Sequence, residues 1–135
     1  MSELLASLNW LSVITATVIY FALGALWYSL IFAKTWMKLR GITEKDVNEP
    51  NPVIFFYSFI LQLIAVISLA LFLSAMGVQS ALNGAFVGFG AGAGFVFTLA
   101  GSTGIFSDVK LKLHFIDHGY HVVGLTLAGL ILGWW

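Results

Sequence analysis

Residues 50–107 read PNPVIFFYSFILQLIAVISLALFLSAMGVQSALNGAFVGFGAGAGFVFTLAGSTGIFS, without a single Asp, Glu, Lys or Arg. A helix crosses the hydrocarbon core of a bilayer with ~20 apolar residues, so a run of this length crosses more than once and must fold back on itself. The turn signal inside it is Gly77-Val78-Gln79-Ser80, a cluster of small and polar residues between two apolar stretches. A second uncharged run, from Leu4 to Ala33, precedes it, and a last apolar segment runs from Leu113 to Trp135. The reading is an all-α integral membrane bundle of four transmembrane helices, at about residues 9–32, 52–76, 82–101 and 113–135, with the whole of 1–135 as one transmembrane domain.

Composition agrees: 60% of residues are hydrophobic and 9% charged, against roughly a quarter charged in soluble domains, and the mean hydropathy is +0.99. The charges fall at Glu3, between Lys34 and Glu49, and between Asp108 and Asp117. Lys34, Lys38, Arg40 and Lys45 lie in the first connection and Lys110 and Lys112 in the third, both on one side of a four-span protein. Cytoplasmic loops carry the excess of Lys and Arg, so both termini are expected outside, in the bacterial inner (plasma) membrane. So one-sided a bias argues against a dual-topology protein. The first span lacks the basic start of a signal peptide and exceeds its 7–15-residue core, so it is expected to stay in the mature chain. With no cysteine, disulfides, thiolate metal sites and thiol redox chemistry are excluded, and a net charge of zero makes no case for nucleic acid.

In the first span Asn9, Ser12, Ala16, Tyr20 and Trp27 share a small, polar and aromatic face, either a packing surface or a cavity wall. Trp10 is expected at the outer interface, and Trp27, Tyr28 and Trp36 toward the inner one. The connection from Ala33 to Asn51 reads as a solvated loop, with Thr43-Glu44-Lys45-Asp46 a candidate cap and first turn of a short surface helix. Asn51-Pro52 marks the start of the second span, asparagine as cap and proline at the first helical position. Gln62, with Ser58 a turn earlier, is expected to hydrogen-bond a neighbouring helix. In the third span Gly84, Gly88 and Gly92 form one small-residue ridge, and Gly90 and Gly94 start another on a different side. This span is expected to be the central helix, or one shared between a bundle neighbour and another subunit. A pore lining or a bend is the alternative.

Chemistry concentrates in the last span, where His114, Asp117, His118 and His121 recur three or four apart and so form one helical stripe. Every histidine of the chain is in it, and an ionisable group at membrane depth points to function. As a proton relay, imidazole titrates near neutral pH and Asp117 at i−4 would orient His121. As a metal site, His114 and His118 place two nitrogens on one face, with Asp117 or His121 as a third ligand, and a symmetric oligomer would have to complete the shell. Haem would need His121 from two subunits. The plainer alternative makes His114 and His118 interfacial and His121 a hydrogen bond between helices. Below the stripe Gly124, Leu125 and Ala128 are small enough for close packing on another helix.

Asn9-Trp10, Gly24-Ala25-Leu26-Trp27-Tyr28-Ser29 and Trp36, with Gly119-Tyr120-His121 and Gly129-Leu130-Ile131-Leu132-Gly133-Trp134, resemble domain-of-unknown-function family 1761, small four-span membrane proteins. The resemblance covers nearly the whole chain and implies the topology but no activity. It adds weight to Trp27, Tyr28, Tyr120 and His121, whereas Asp117 and His118 stand where it implies an amide and a small residue.

The leading expectation is a small homo-oligomeric transporter or channel. Its pathway lies between the first and fourth spans, with His121, Asp117 and His118 as proton or cation site and Tyr28, Trp27 and Tyr120 as walls. The alternatives are a non-catalytic scaffold or accessory subunit and, third, a metal- or haem-binding protein; no nucleophile motif, phosphate loop or cofactor fingerprint points to an enzyme. The cofactor is open, and the expected partners are the lipid bilayer, further copies of the chain and a small ion or molecule.

Overall fold

A computed structural model describes residues 5–46 and 51–135, and Glu3, Leu4, Glu49 and Pro50, used above to delimit the charged and uncharged runs, lie outside the described residues. Helix α1 spans Trp10–Ile31 and widens into a π turn over Trp27–Ile31; α2 is Ala33–Arg40 and α3 Pro52–Ala75. Helix α4 runs Ala81–Phe106 with a π segment at Gly90–Phe97, and α5 is Leu111–Trp134. The helices α1, α3, α4 and α5 are long and apolar enough to cross a membrane, and the chain is an all-α bundle with no strand among the described residues.

Local sequence sets the helix ends. The Asn9 carboxamide accepts from the Leu11 and Ser12 amides, Asn51 caps Val53 beside Pro52, and Ser80 accepts from Asn83 N, each side chain satisfying first-turn amides that have no helical partner. Gly41 (φ +70°) and Gly77 (φ +65°) supply the left-handed residue that stops α2 and follows α3, a conformation glycine adopts without steric cost.

The first connection departs from the expected solvated loop. Its first half is the helix α2, held under the bundle because the Trp36 indole reaches α5 and Lys110 donates to the Leu39 carbonyl at 3.4 Å. Thr43 and Asp46 close a turn instead of starting a helix: the Thr43 amide and hydroxyl both donate to Asp46 Oδ2, at 2.7 and 2.6 Å. Those two bonds hold the exposed Asp46 carboxyl below its ordinary range. Helix α4 also runs on to Phe106, further than the span ending near Gly101.

The central helix is α5, which packs against α1, α3 and α4, while α3 and α4 barely meet. Of the two placements expected for the glycine-rich third span, the central one is thereby corrected. Its Gly84, Gly88 and Gly92 all face α5: a Cβ on Gly84 would overlap the Gly129 carbonyl oxygen, one on Gly88 that of Leu125, and one on Gly92 would come within 2.7 Å of Val122 Cα. Backbones this close gain dispersion and weak Cα–H···O contacts along their length. Gly90 and Gly94 face the other way, where a Cβ would meet nothing within 4 Å. On the other side of α5, Val13, Ala16, Tyr20, Val66, Leu69 and Tyr120 form the core with α1 and α3.

Candidate functional site

Tyr20 lies halfway along α1, Gln62 halfway along α3, and Tyr120 and His121 close to the middle of α5. These midpoints meet in one polar layer. The Tyr20 hydroxyl and His121 Nδ1 lie 2.7 Å apart in a hydrogen bond whose donor depends on the imidazole tautomer. The Tyr120 hydroxyl accepts from Gln62 Nε2 at 2.7 Å and donates to the Tyr20 backbone carbonyl at 3.2 Å, a carbonyl that the helix already uses once. Both tyrosine residues are nearly sealed, at 2% and 4% exposure, and their rings stack obliquely with centroids 5.3 Å apart.

Glycine makes room for this layer. A Cβ on Gly124 would fall inside the Tyr20 ring, and one on Gly24 would stand 3.0 Å from the Tyr120 hydroxyl oxygen. The two helices can therefore bring phenol groups between them.

One to two turns toward the Lys/Arg-bearing end, Asp117 Oδ1 accepts from the Trp36 indole at 2.8 Å and from the Tyr28 hydroxyl at 3.2 Å. Both donors come from α1 and α2, so the carboxylate is tied to those helices and not to His121. The widened turn at Trp27–Ile31 breaks the regular helical repeat where these aromatics leave α1, a position π turns commonly occupy at functional sites. It leaves Trp27 pointing elsewhere, its indole donating to the Ile116 carbonyl at 2.9 Å and its ring lying beside Gly119.

His114, in the first turn of α5, is buried at 6% exposure, its ring 4.3 Å from that of Phe97 and against Gly101. The three imidazoles follow one another along α5, with centroids 4.7 Å apart from His114 to His118 and 6.2 Å from His118 to His121. His114 Nδ1 and Gln62 Oε1 are buried without a hydrogen-bond partner. Among the described residues no group of three or more His, Asp or Glu side chains is arranged to hold a metal ion.

Of the expected site residues, Asp117 and Tyr28 meet directly, His121 meets Tyr20, Tyr120 meets Gln62, and His118 touches the other two imidazoles. Trp36 and Tyr20 are additions to that set. Tyr20 was legible only as a member of a helical face, and Trp36 as a residue of the aromatic belt and of the family resemblance.

At the end carrying the termini a cavity of about 410 Å³ opens between Asn9, Ser12, Ser74, Gln79 and Trp134. Beneath it Val13, Ala16, Val66 and Leu69 separate it from the polar layer.

The family described as Protein of unknown function (DUF1761) matches residues 11–133 of the chain. No curated protein and no solved structure matches it.

Proposed function

The chain belongs to the DUF1761 family of proteins of unknown function, and we propose that it is a small proton- or cation-responsive carrier or channel whose working centre is the layer around His121. The observation that carries this reading is the Tyr20–His121 hydrogen bond of 2.7 Å at mid-span. Imidazole and phenol both accept and release protons, and imidazole alone among side chains ordinarily changes charge near neutral pH. An ionisable group at that depth is expensive in hydrocarbon and is retained where it lines a pathway.

His118 and Asp117 lead from His121 toward the Lys/Arg-bearing end, and the polar cavity approaches from the opposite end. The apolar layer of Val13, Ala16, Val66 and Leu69 is the barrier that transport has to open. We infer that the Lys/Arg-bearing end faces the cytoplasm of a bacterial inner membrane, and that copies of the chain associate through the far side of α4.

The test is proton and cation flux in proteoliposomes. His121→Ala and Asp117→Asn should lower flux at least tenfold while the protein still purifies folded; unchanged flux in His121→Ala rejects the reading. A scaffold or accessory role is the second reading, favoured by the fact that Gln62–Tyr120 and Tyr120–Tyr20 bonds link α1, α3 and α5. Under it wild-type protein conducts nothing and His121→Ala changes only stability.

A further inference from the structure

A second cavity, of about 780 Å³, runs down the side of α5 turned away from the His/Asp stripe, roughly 150° around the helix at 100° per residue. Its floor is Ile116, Gly119 and Val122; Trp27 and Phe32 wall it on one side, Ala93 and Phe97 on the other. Its polar side chains beyond the Trp27 indole, Lys112 and Thr35, belong to the first turn of α5 and to α2, so both stand at the same end. From Lys112 to Val123 the cleft follows α5 over a rise of ~16 Å at 1.5 Å per residue, which is one leaflet of a hydrocarbon core ~30 Å thick. It opens sideways, with Phe115 and Val123 on its rim exposed at 56% and 37%.

An aqueous solute has no partner along such walls, whereas an acyl chain fills them. The cation at the interfacial end selects the head that goes with the chain. Lys112 is exposed and, among the described residues, meets no carboxylate, and Lys110, the residue before α5, puts no side-chain cap on its first-turn amides, so the positive end of the helix dipole lies at the same mouth. The Trp27 wall is set in advance, its indole fixed on the Ile116 carbonyl at 2.9 Å and its ring on Phe32 with centroids 4.8 Å apart. We propose that this cleft binds an anionic phospholipid from the leaflet on the Lys/Arg-bearing side, one acyl chain lying along Gly119 between Trp27 and Phe97 and the phosphate on Lys112. The proposal does not rest on the transport reading.

The test is native mass spectrometry of detergent-purified protein titrated with phosphatidylglycerol and phosphatidylcholine of identical chains. Wild type should retain phosphatidylglycerol about fivefold more than phosphatidylcholine, the preference one basic residue near a headgroup confers. Lys112→Gln should erase that preference, Lys38→Gln on α2 should keep it, and Gly119→Val, which fills the floor, should reduce retention of both lipids. Equal retention of the two lipids by wild type overturns the proposal. So does a Lys38→Gln loss equal to that of Lys112→Gln, which would mean diffuse attraction to net charge. Should Gly119→Val fail to fold, the comparison of the two lysine variants decides alone.

Discussion

The Tyr20 hydroxyl reaches His121 because Gly124 leaves the space its ring occupies, and that single contact joins a phenol and an imidazole at mid-span. Tyr20→Phe keeps the ring and removes the hydrogen bond, and is expected to lower unfolding free energy by about 0.6–1.7 kcal/mol, the range for hydrogen bonds between membrane helices. Reversible unfolding in mixed micelles measures this; no loss would mean that the bond contributes nothing to stability. Asp117 teaches a different lesson at this scale. Its spacing from His121 suggested a pair, yet its carboxylate accepts from Trp36 and Tyr28, since donors on α1 and α2 stand within its reach and His121 is engaged by Tyr20. His114, in the first turn of α5, packs against Phe97 and Gly101, and which helix stands opposite it is something that spacing on one helix does not contain.

Helix α4 meets α5 through glycine on both sides, Gly84 and Gly88 of one against Gly129 and Gly133 of the other. A Cβ on Gly88 would overlap the Leu125 carbonyl oxygen, and a backbone atom cannot swing aside as a flexible side chain would. Gly88→Ala is therefore expected to destabilise the bundle by about 1–3 kcal/mol, the ordinary cost of overpacking a tight core, and Gly88→Leu to prevent α4 from docking. A thermal-unfolding series in detergent checks the order Gly88→Leu below Gly88→Ala below wild type; an alanine variant as stable as wild type would show that the helices separate freely. The sequence spacing of Gly84, Gly88 and Gly92 identifies the ridge as a packing surface. That its partner would be α5 was not, since small residues recur in the third and fourth spans alike and only the docked pair reveals which ridges interlock.

Across the whole molecule, α5 stands between α1 and α4, and the outward side of α4 with Gly90 and Gly94 remains uncovered. Because the chain contains no cysteine, single introduced cysteines report on both orientation and association. Gln79→Cys is expected to react with a membrane-impermeant maleimide from outside the cell and Lys110→Cys only after permeabilisation, while Gly94→Cys should crosslink to a second copy and Gly119→Cys should not. The reverse labelling pattern overturns the inferred orientation, and a Gly94→Cys variant that stays monomeric overturns association through α4. Sequence alone determined the membrane-spanning all-α class, the number of spans, the fold-back at Gly77–Ser80 and the concentration of ionisable groups on the last helix. Those properties follow from hydropathy, caps and turn residues, which act within a few residues of one another. Only the tertiary structure decided that α5 is central, that α2 folds beneath the bundle, and that Tyr20, Gln62, Tyr120 and His121 share one layer. It also turned Trp27 into the wall of a separate cleft. Each of these depends on the rotation and height of one helix against another, set by close backbone approach and by side chains far apart in the chain, and no local pattern encodes it.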